Sequence, residues 1–138
     1  MRQTEWITDA IAYVKKKADE NLETFKEVFP APNSEQLIYP AWENFEWTPG
    51  FWTGMLWLLY EETGDEKYRK ALEPLIGTFR KRLEEDTTLE THDIGFLYSL
   101  STLAQYKITG DEEALALSAL AADRLMDRYN ETAQIIQA

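Results

Sequence analysis

Apolar positions Ile7, Ile11, Val14, Ala18, Leu22 and Phe25 recur at steps of three and four. That spacing sets them on one face of a helix, with Lys15, Lys16, Lys17, Asp19, Glu20 and Glu23 mostly on the other. Pro30-Ala31-Pro32-Asn33-Ser34 predicts its end, because proline lacks an amide proton and biases the preceding residue away from the helical region. A loop follows to about Glu46. Thr48-Pro49-Gly50 then predicts a helix start, with the Thr48 hydroxyl as cap and proline at the first helical position. Phe51, Trp52, Met55, Leu56, Trp57, Leu58, Leu59 and Tyr60 cover every side of that second helix, so it should be buried all round. A third helix carries Tyr68, Leu72, Leu75, Ile76, Phe79 and Leu83 on one face, with Arg69, Lys70, Arg80 and Lys81 elsewhere.

The pattern then recurs. His92-Asp93-Ile94-Gly95-Phe96-Leu97-Tyr98-Ser99-Leu100 leads a mostly apolar helix to Ile108, and a fifth helix follows Thr109-Gly110-Asp111-Glu112. This turn repeats Thr63-Gly64-Asp65-Glu66 after 109 − 63 = 46 residues, and Gly95-Phe96 repeats Gly50-Phe51 after 95 − 50 = 45. Each unit is an inner apolar helix, a turn whose glycine suits the left-handed C-terminal position and whose aspartate can cap, and an outer amphipathic helix. One hairpin cannot bury its apolar member alone, so hairpins must stack, into a solenoid or a closed α/α toroid. In either, the short turns lie at one end and the long loops before Thr48 and Asp93 at the other, where function usually sits. The terminal run Ala133-Gln134-Ile135-Ile136-Gln137-Ala138 reads as a cut. Residues 1–138 are therefore expected to be the N-terminal part of one longer toroid domain, with the chain alone self-associating or only partly ordered.

Charge narrows the partners. The 138 residues carry 14 Lys+Arg against 25 Asp+Glu, a formal charge of −11, which would repel a phosphate backbone and argues against nucleic acid. No apolar run reaches the ~18–20 residues a bilayer span needs, and the N-terminus lacks a signal-peptide layout, so the chain reads as cytoplasmic and free of the membrane. With no cysteine and the single histidine His92, neither thiolate chemistry nor a His-rich metal site can be built. Carboxylates and aromatics remain.

Two segments could carry chemistry. Asp93, before Ile94-Gly95-Phe96, fits an N-cap carboxylate on position alone, worth ~1 kcal/mol. Trp42-Glu43-Asn44-Phe45-Glu46-Trp47-Thr48 interleaves two tryptophans with two carboxylates and an amide. Such combinations bind sugars, an aromatic face under the ring and polar groups on the hydroxyls, although two tryptophans can equally pin a loop to its domain. Trp52 and Trp57 read as core. The two segments hold equivalent places in the repeat, so stacking brings them to one end.

Over nearly its whole length the sequence resembles the unsaturated glucuronyl hydrolases, glycoside hydrolase family 88. The resemblance rests on Asn44-Phe45-Glu46-Trp47-Thr48-Pro49-Gly50-Phe51-Trp52-Thr53-Gly54, on Leu56-Trp57-Leu58 with Tyr60-Glu61 and Thr63-Gly64-Asp65, on His92-Asp93-Ile94-Gly95-Phe96-Leu97-Tyr98-Ser99, and on Ile135-Ile136-Gln137-Ala138. Two departures are Thr91-His92-Asp93 where the family usually has His-His-Asp, and Glu43-Asn44-Phe45 where it has Asp-Asn-Thr. The resemblance implies an all-α fold of helical hairpins forming part of an (α/α)6 toroid. It also implies removal of the 4,5-unsaturated uronic acid from the non-reducing end of lyase-generated oligosaccharides by hydration of the vinyl-ether double bond, with no metal or organic cofactor. By the same carry-over Asp93 matches one of two active-site aspartates, His92 is its neighbour and Trp47 the aromatic beside the sugar. Trp42 and Asn44, in the segment read above as a sugar-binding type, are expected as further substrate contacts. The other aspartate, the acid and base, would lie beyond Ala138, leaving the chain alone inactive and giving Asp93 a supporting role that keeps its partner protonated. A carbohydrate-binding module without turnover and a helical-repeat scaffold for protein partners are the alternatives.

Overall fold

Both Thr-Gly-Asp-Glu turns close by the same chemistry. Gly64 and Gly110 adopt left-handed φ angles of 64° and 75°, and their amides donate to the carbonyls of Tyr60 and Tyr106, each at 2.8 Å. The threonine hydroxyls donate back to Leu59 and Gln105 and accept the amides of Asp65 and Asp111. Asp65 caps the next helix by accepting from the Lys67 amide, and Asp111 by accepting from those of Glu113 and Ala114.

These turns sit in a computed structural model that describes residues 5–137. Residues 1–4, part of the N-terminal stretch that lacks a signal-peptide layout, and residue 138, the end of the terminal run, lie outside them. The order is α1 (Glu5–Leu22), β1 (Phe29–Pro30), β2 (Ala41–Trp42), α2 (Pro49–Thr63), α3 (Glu66–Glu84), α4 (Ile94–Ser99), α5 (Thr102–Thr109), α6 (Glu112–Met126), β3 (Tyr129–Asn130) and β4 (Ile135–Ile136). The inner helices α2 and α4–α5 pack on each other, with α3 and α6 outside. One core joins Trp52, Leu56, Trp57 and Leu59 of α2 to Tyr68, Leu72, Leu75 and Phe79 of α3, to Ile94, Leu97 and Tyr98 of α4, and to Ala121 of α6.

Five details depart from the sequence expectations. α1 stops at Leu22 rather than at the prolines, and Phe25, buried, lies beyond its end; of the face read for α1 itself, Ala18 is buried while Ile7, Ile11 and Val14 stay exposed. The loop before α2 contains the antiparallel pair β1–β2, Phe29 opposite Trp42, and the C-terminal run forms the pair β3–β4. α2 is not covered on every side: α3 and α4 bury two flanks, but Phe51, Met55 and Leu58 form an open stripe beside Ile11 and Val14 of α1. Thr48 precedes α2 without capping it, since its backbone is already helical and its hydroxyl finds no partner among the described residues.

The fifth departure is a break in the second inner helix. Ser101 leaves the helical region at φ −110°, ψ −88°, dividing α4 from α5. Ser99, Ser101 and Thr102 all turn their hydroxyls onto carbonyls four residues back, at Gly95, Leu97 and Tyr98. Side chains that bond the preceding turn compete with the ladder and bend helices. The Leu100 carbonyl at the break accepts from Thr53 of α2 at 3.3 Å.

Candidate active site at the loop end

The loop end is assembled where α2 and α4 approach. Gly50 makes that approach possible: a Cβ there would lie 2.4 Å from the Phe96 carbonyl oxygen and 2.9 Å from that of Leu97. With the backbones this close, the residues after each glycine meet. Phe51 and Phe96 lie 5.8 Å apart between centroids, and Trp47 packs edge-on against Phe51 at 5.9 Å and tilted against Phe96 at 6.4 Å. The three rings touch one another, yet Trp47, Phe51 and Phe96 remain 44%, 40% and 47% exposed. That is a presented aromatic surface, not a core.

Asp93 stands one helical turn before Phe96, hence on the same face of α4. It occupies the N-cap position but does not act as a cap: its backbone is helical, and among the described residues its side chain accepts no amide from α4. Instead Oδ2 accepts from the Thr91 hydroxyl at 3.0 Å, while that same hydroxyl oxygen accepts the Asp93 amide at 3.1 Å. His92 Nε2 lies 3.4 Å from Oδ1, with the imidazole half exposed. The bland reading of Asp93 as a helix cap is therefore set aside, because the carboxylate is held by Thr91 and kept available. Thr91, one of the two departures from the family pattern, is what orients it.

The remaining predicted residues are placed differently. Trp42 lies on β2, half exposed and outside the ring cluster. Asn44 is 7% exposed and turned inward, its amide donating to the Thr78 hydroxyl at 2.9 Å and its oxygen accepting from Arg82 at 2.9 Å. As placed, both its polar ends are engaged with the protein.

Sequence reasoning missed Arg82, which lies in the last turn of α3 among charged neighbours and is 3% exposed. Its acceptors are all neutral: Asn44 and the carbonyls of Phe45, Glu46 and Thr88. Burial pulls the guanidinium below the ordinary arginine value, with Tyr98 and Glu46 working in the opposite direction. The available signal was the single in-register Arg at the apolar spacing of α3, three residues after Phe79.

The sequence profile described as Glycosyl Hydrolase Family 88 matches residues 13–137. The chain belongs to that family. It is 42% identical over 134 residues, 97% of this chain and 34% of the relative, to the unsaturated chondroitin disaccharide hydrolase of Streptococcus pneumoniae (strain ATCC BAA-255 / R6). It is 48% identical over 118 residues, 86% of this chain and 31% of the relative, to the unsaturated glucuronyl hydrolase of Bacillus sp. (strain GL1). The crystal structure of unsaturated glucuronyl hydrolase from Streptococcus agalactiae superposes with a TM-score of 0.92 at 41% identity, over 96% of this chain and 33% of that one. The family member described here thus spans about a third of the length of its relatives, and its helical hairpins have the fold of one part of an α/α toroid.

Proposed function

We propose that this chain supplies one wall of the active site of an unsaturated glucuronyl hydrolase, as the N-terminal part of a single (α/α)6 toroid. The substrate is an oligosaccharide bearing a 4,5-unsaturated uronic acid at its non-reducing end. One observation carries the reading: the Asp93 carboxylate sits where a cap belongs, is not used as one, and is presented beside a half-exposed aromatic surface. A carboxylate withheld from its helix and a stacking platform together match a sugar ring and its hydroxyls.

In the proposed reaction an acid from elsewhere in the toroid protonates C4 of the vinyl ether, and water adds at C5. The resulting hemiketal then opens, freeing the rest of the saccharide. Protonation falls on carbon, so the carboxylate-spacing rule for ordinary glycosidases does not govern the outcome. Trp47, with Phe51 and Phe96, supports the ring of the uronate. Asp93 accepts hydrogen bonds from its hydroxyls and places a negative charge near the acid. His92, beside Asp93, and Trp42, half exposed on β2, are assigned as further contacts to the saccharide. We assign Asn44 a place behind the loop. A cytoplasmic setting is part of the proposal, and cell fractionation tests it.

The test is Asp93→Asn in the full-length protein, followed by loss of the ultraviolet absorbance of the conjugated double bond in an unsaturated chondroitin disaccharide. Asparagine keeps the shape, so the melting temperature should move little, whereas turnover should fall by roughly 10²-fold or more. Near-normal turnover with a lowered melting temperature would return Asp93 to a structural role.

A further inference from the structure

Trp47 and Asp93 come from separate loops, and one buried side chain is hydrogen-bonded to both loops. Arg82 Nη1 donates to Asn44 Oδ1 at 2.9 Å and to the Glu46 carbonyl at 2.8 Å. Its Nη2 donates to the Phe45 carbonyl at 3.1 Å and to the Thr88 carbonyl at 2.8 Å. Three of these acceptors belong to the segment running into Trp47. The fourth belongs to the loop running into His92 and Asp93.

That second loop needs an external hold. Asp86 and Thr88 have φ angles of 50° and 54°, a left-handed conformation that crowds a Cβ and persists only when its surroundings enforce it. Arg124 fastens Asp86 through paired hydrogen bonds to its carboxylate, and Arg82 fastens Thr88. An arginine in the last turn of a helix ordinarily reaches solvent or the helix's own last carbonyls. Arg82 instead points into the junction between the loops.

We infer that Arg82 is a positioning residue: it sets the Trp47 loop and the His92–Asp93 loop in register with each other by binding the backbones of both through one guanidinium. The planar fork suits this, since its donors diverge at fixed angles and address four acceptors at once. A lysine ammonium in the same place offers three donors from one point and cannot span both loops. Asn44 extends the brace to α3 through Thr78, which explains why an amide in a sugar-binding type of segment is turned inward. The inference rests on the roles proposed above for Asp93 and Trp47.

Arg82→Lys in the full-length protein tests it, with Asp93→Asn alongside. Assayed well below the variant's melting temperature, kcat should fall about 10- to 100-fold while KM stays within about threefold, because misaligned groups lose transition-state contacts before ground-state binding. Amide hydrogen exchange should quicken in residues 44–48 and in residues 87–93 together, with the core amides of α2 and α3 unchanged. A wild-type kcat with only a lowered melting temperature overturns the inference, as does loosening of one loop alone. Should Arg82→Lys fail to fold, Asn44→Ala leaves three of the four links: faster exchange over residues 44–48 with kcat reduced about three- to tenfold supports the brace, and unchanged kcat overturns it. Undiminished turnover in Asp93→Asn would sink the functional reading itself, whatever Arg82→Lys does.

Discussion

The two repeat units agree at their turn ends and part company at their loop ends. At the turns, threonine, glycine and aspartate make matching sets of hydrogen bonds in both copies. At the loop ends, Gly50 lies hard against the backbone of α4, whereas a Cβ at its counterpart Gly95 would meet nothing nearer than Leu125 Cδ2 at 3.9 Å. α2 runs unbroken for 15 residues, while its counterpart breaks at Ser101. The same residue pair, Gly-Phe, therefore does different work in each copy. In the first, glycine lets two helices touch; in the second, the phenylalanine alone is needed, as the ring that completes the platform with Trp47 and Phe51. Turns are set by residues adjacent in sequence and repeat faithfully. A site needs asymmetry, and the copies diverge where the proposed site lies.

Paired glycine substitutions should separate the two loop ends most strongly. Gly50→Ala forces a methyl group to within clashing distance of two carbonyl oxygens on α4, which cannot rotate away as a side chain could. Overpacking of this kind costs about 1–3 kcal/mol, and here the upper end is expected because backbone must move on both sides. Gly95→Ala, in open space on a helix, should be neutral or stabilising by up to about 1 kcal/mol, the propensity difference between the two residues. Denaturant melts of both variants decide it. Equal destabilisation would mean that the two loop ends are packed alike.

What was legible in the sequence was whatever short-range chemistry dictates. The left-handed glycines, the capping aspartates and the burial of Trp52 and Trp57 all follow from local residue types and spacing. The break at Ser101 was not legible, because serine and threonine bond the preceding turn in many helices that stay intact, and the outcome here also involves Thr53 across the interface. Thr48 looked like a cap by residue type and failed by dihedral angle. Asp93 looked like one too, and only the Thr91 contact shows that its carboxylate is diverted. The in-register spacing of Arg82 marks it for burial, but its role was not legible, because three of its four acceptors are backbone carbonyls of two distant loops, which leave no signature in residue types.

The outer helices also differ, with an expected effect of intermediate size. Tyr68 of α3, fully buried, donates its hydroxyl to Asp19 of α1 at 2.7 Å, and Lys67 pairs with the same carboxylate at 2.9 Å. Forty-six residues on, α6 has Ala114 at the matching place and no such tether. Burial, then the Asp19 hydrogen bond, push the Tyr68 phenol from its ordinary 10 up to about 12. A raised pKa favours the neutral phenol in the folded state, so its contribution is complete below pH 10 and is lost as pH climbs from about 10 to about 12. Lys67, raised chiefly by its hydrogen bond to Asp19, acts in the same direction. Burial alone would raise Asp19, but the hydrogen bonds from Lys67 and Tyr68 hold it below its usual value, so its share is lost only in acid. Tyr68→Phe should cost about 1.5 kcal/mol at pH 7, the low end for a hydrogen bond to a charged group because Asp19 is partly solvated. The gap in melting temperature between wild type and variant should close between pH 10 and 12. A gap that persists at pH 12 would show that Tyr68 acts through packing, not through its hydroxyl.

The smallest effects are expected at the turn ends, where the two caps differ chiefly in how many donors each aspartate accepts. Asp65 accepts one helix amide, from Lys67 at 3.1 Å, and its other oxygen lies 3.3 Å from the Lys67 ammonium. Asp111 accepts two, from Glu113 at 2.9 Å and Ala114 at 3.2 Å, and also takes the Gln105 amide at 2.7 Å. Alanine at either position strands the amides that the carboxylate satisfied. Asp111→Ala should cost about 1 kcal/mol and more than Asp65→Ala, because two helix amides and a side chain lose their acceptor instead of one amide. The exposed Lys67 pair adds little to the Asp65 loss, since an ion pair in water is weak. Asparagine at each site separates the hydrogen bond from the charge: it caps about as well as aspartate, so Asp65→Asn and Asp111→Asn should recover most of the loss. Equal losses for the two alanine variants, or asparagine variants as unstable as alanine, would show that the carboxylate charge beside the helix terminus governs both turns and that the count of accepted amides does not.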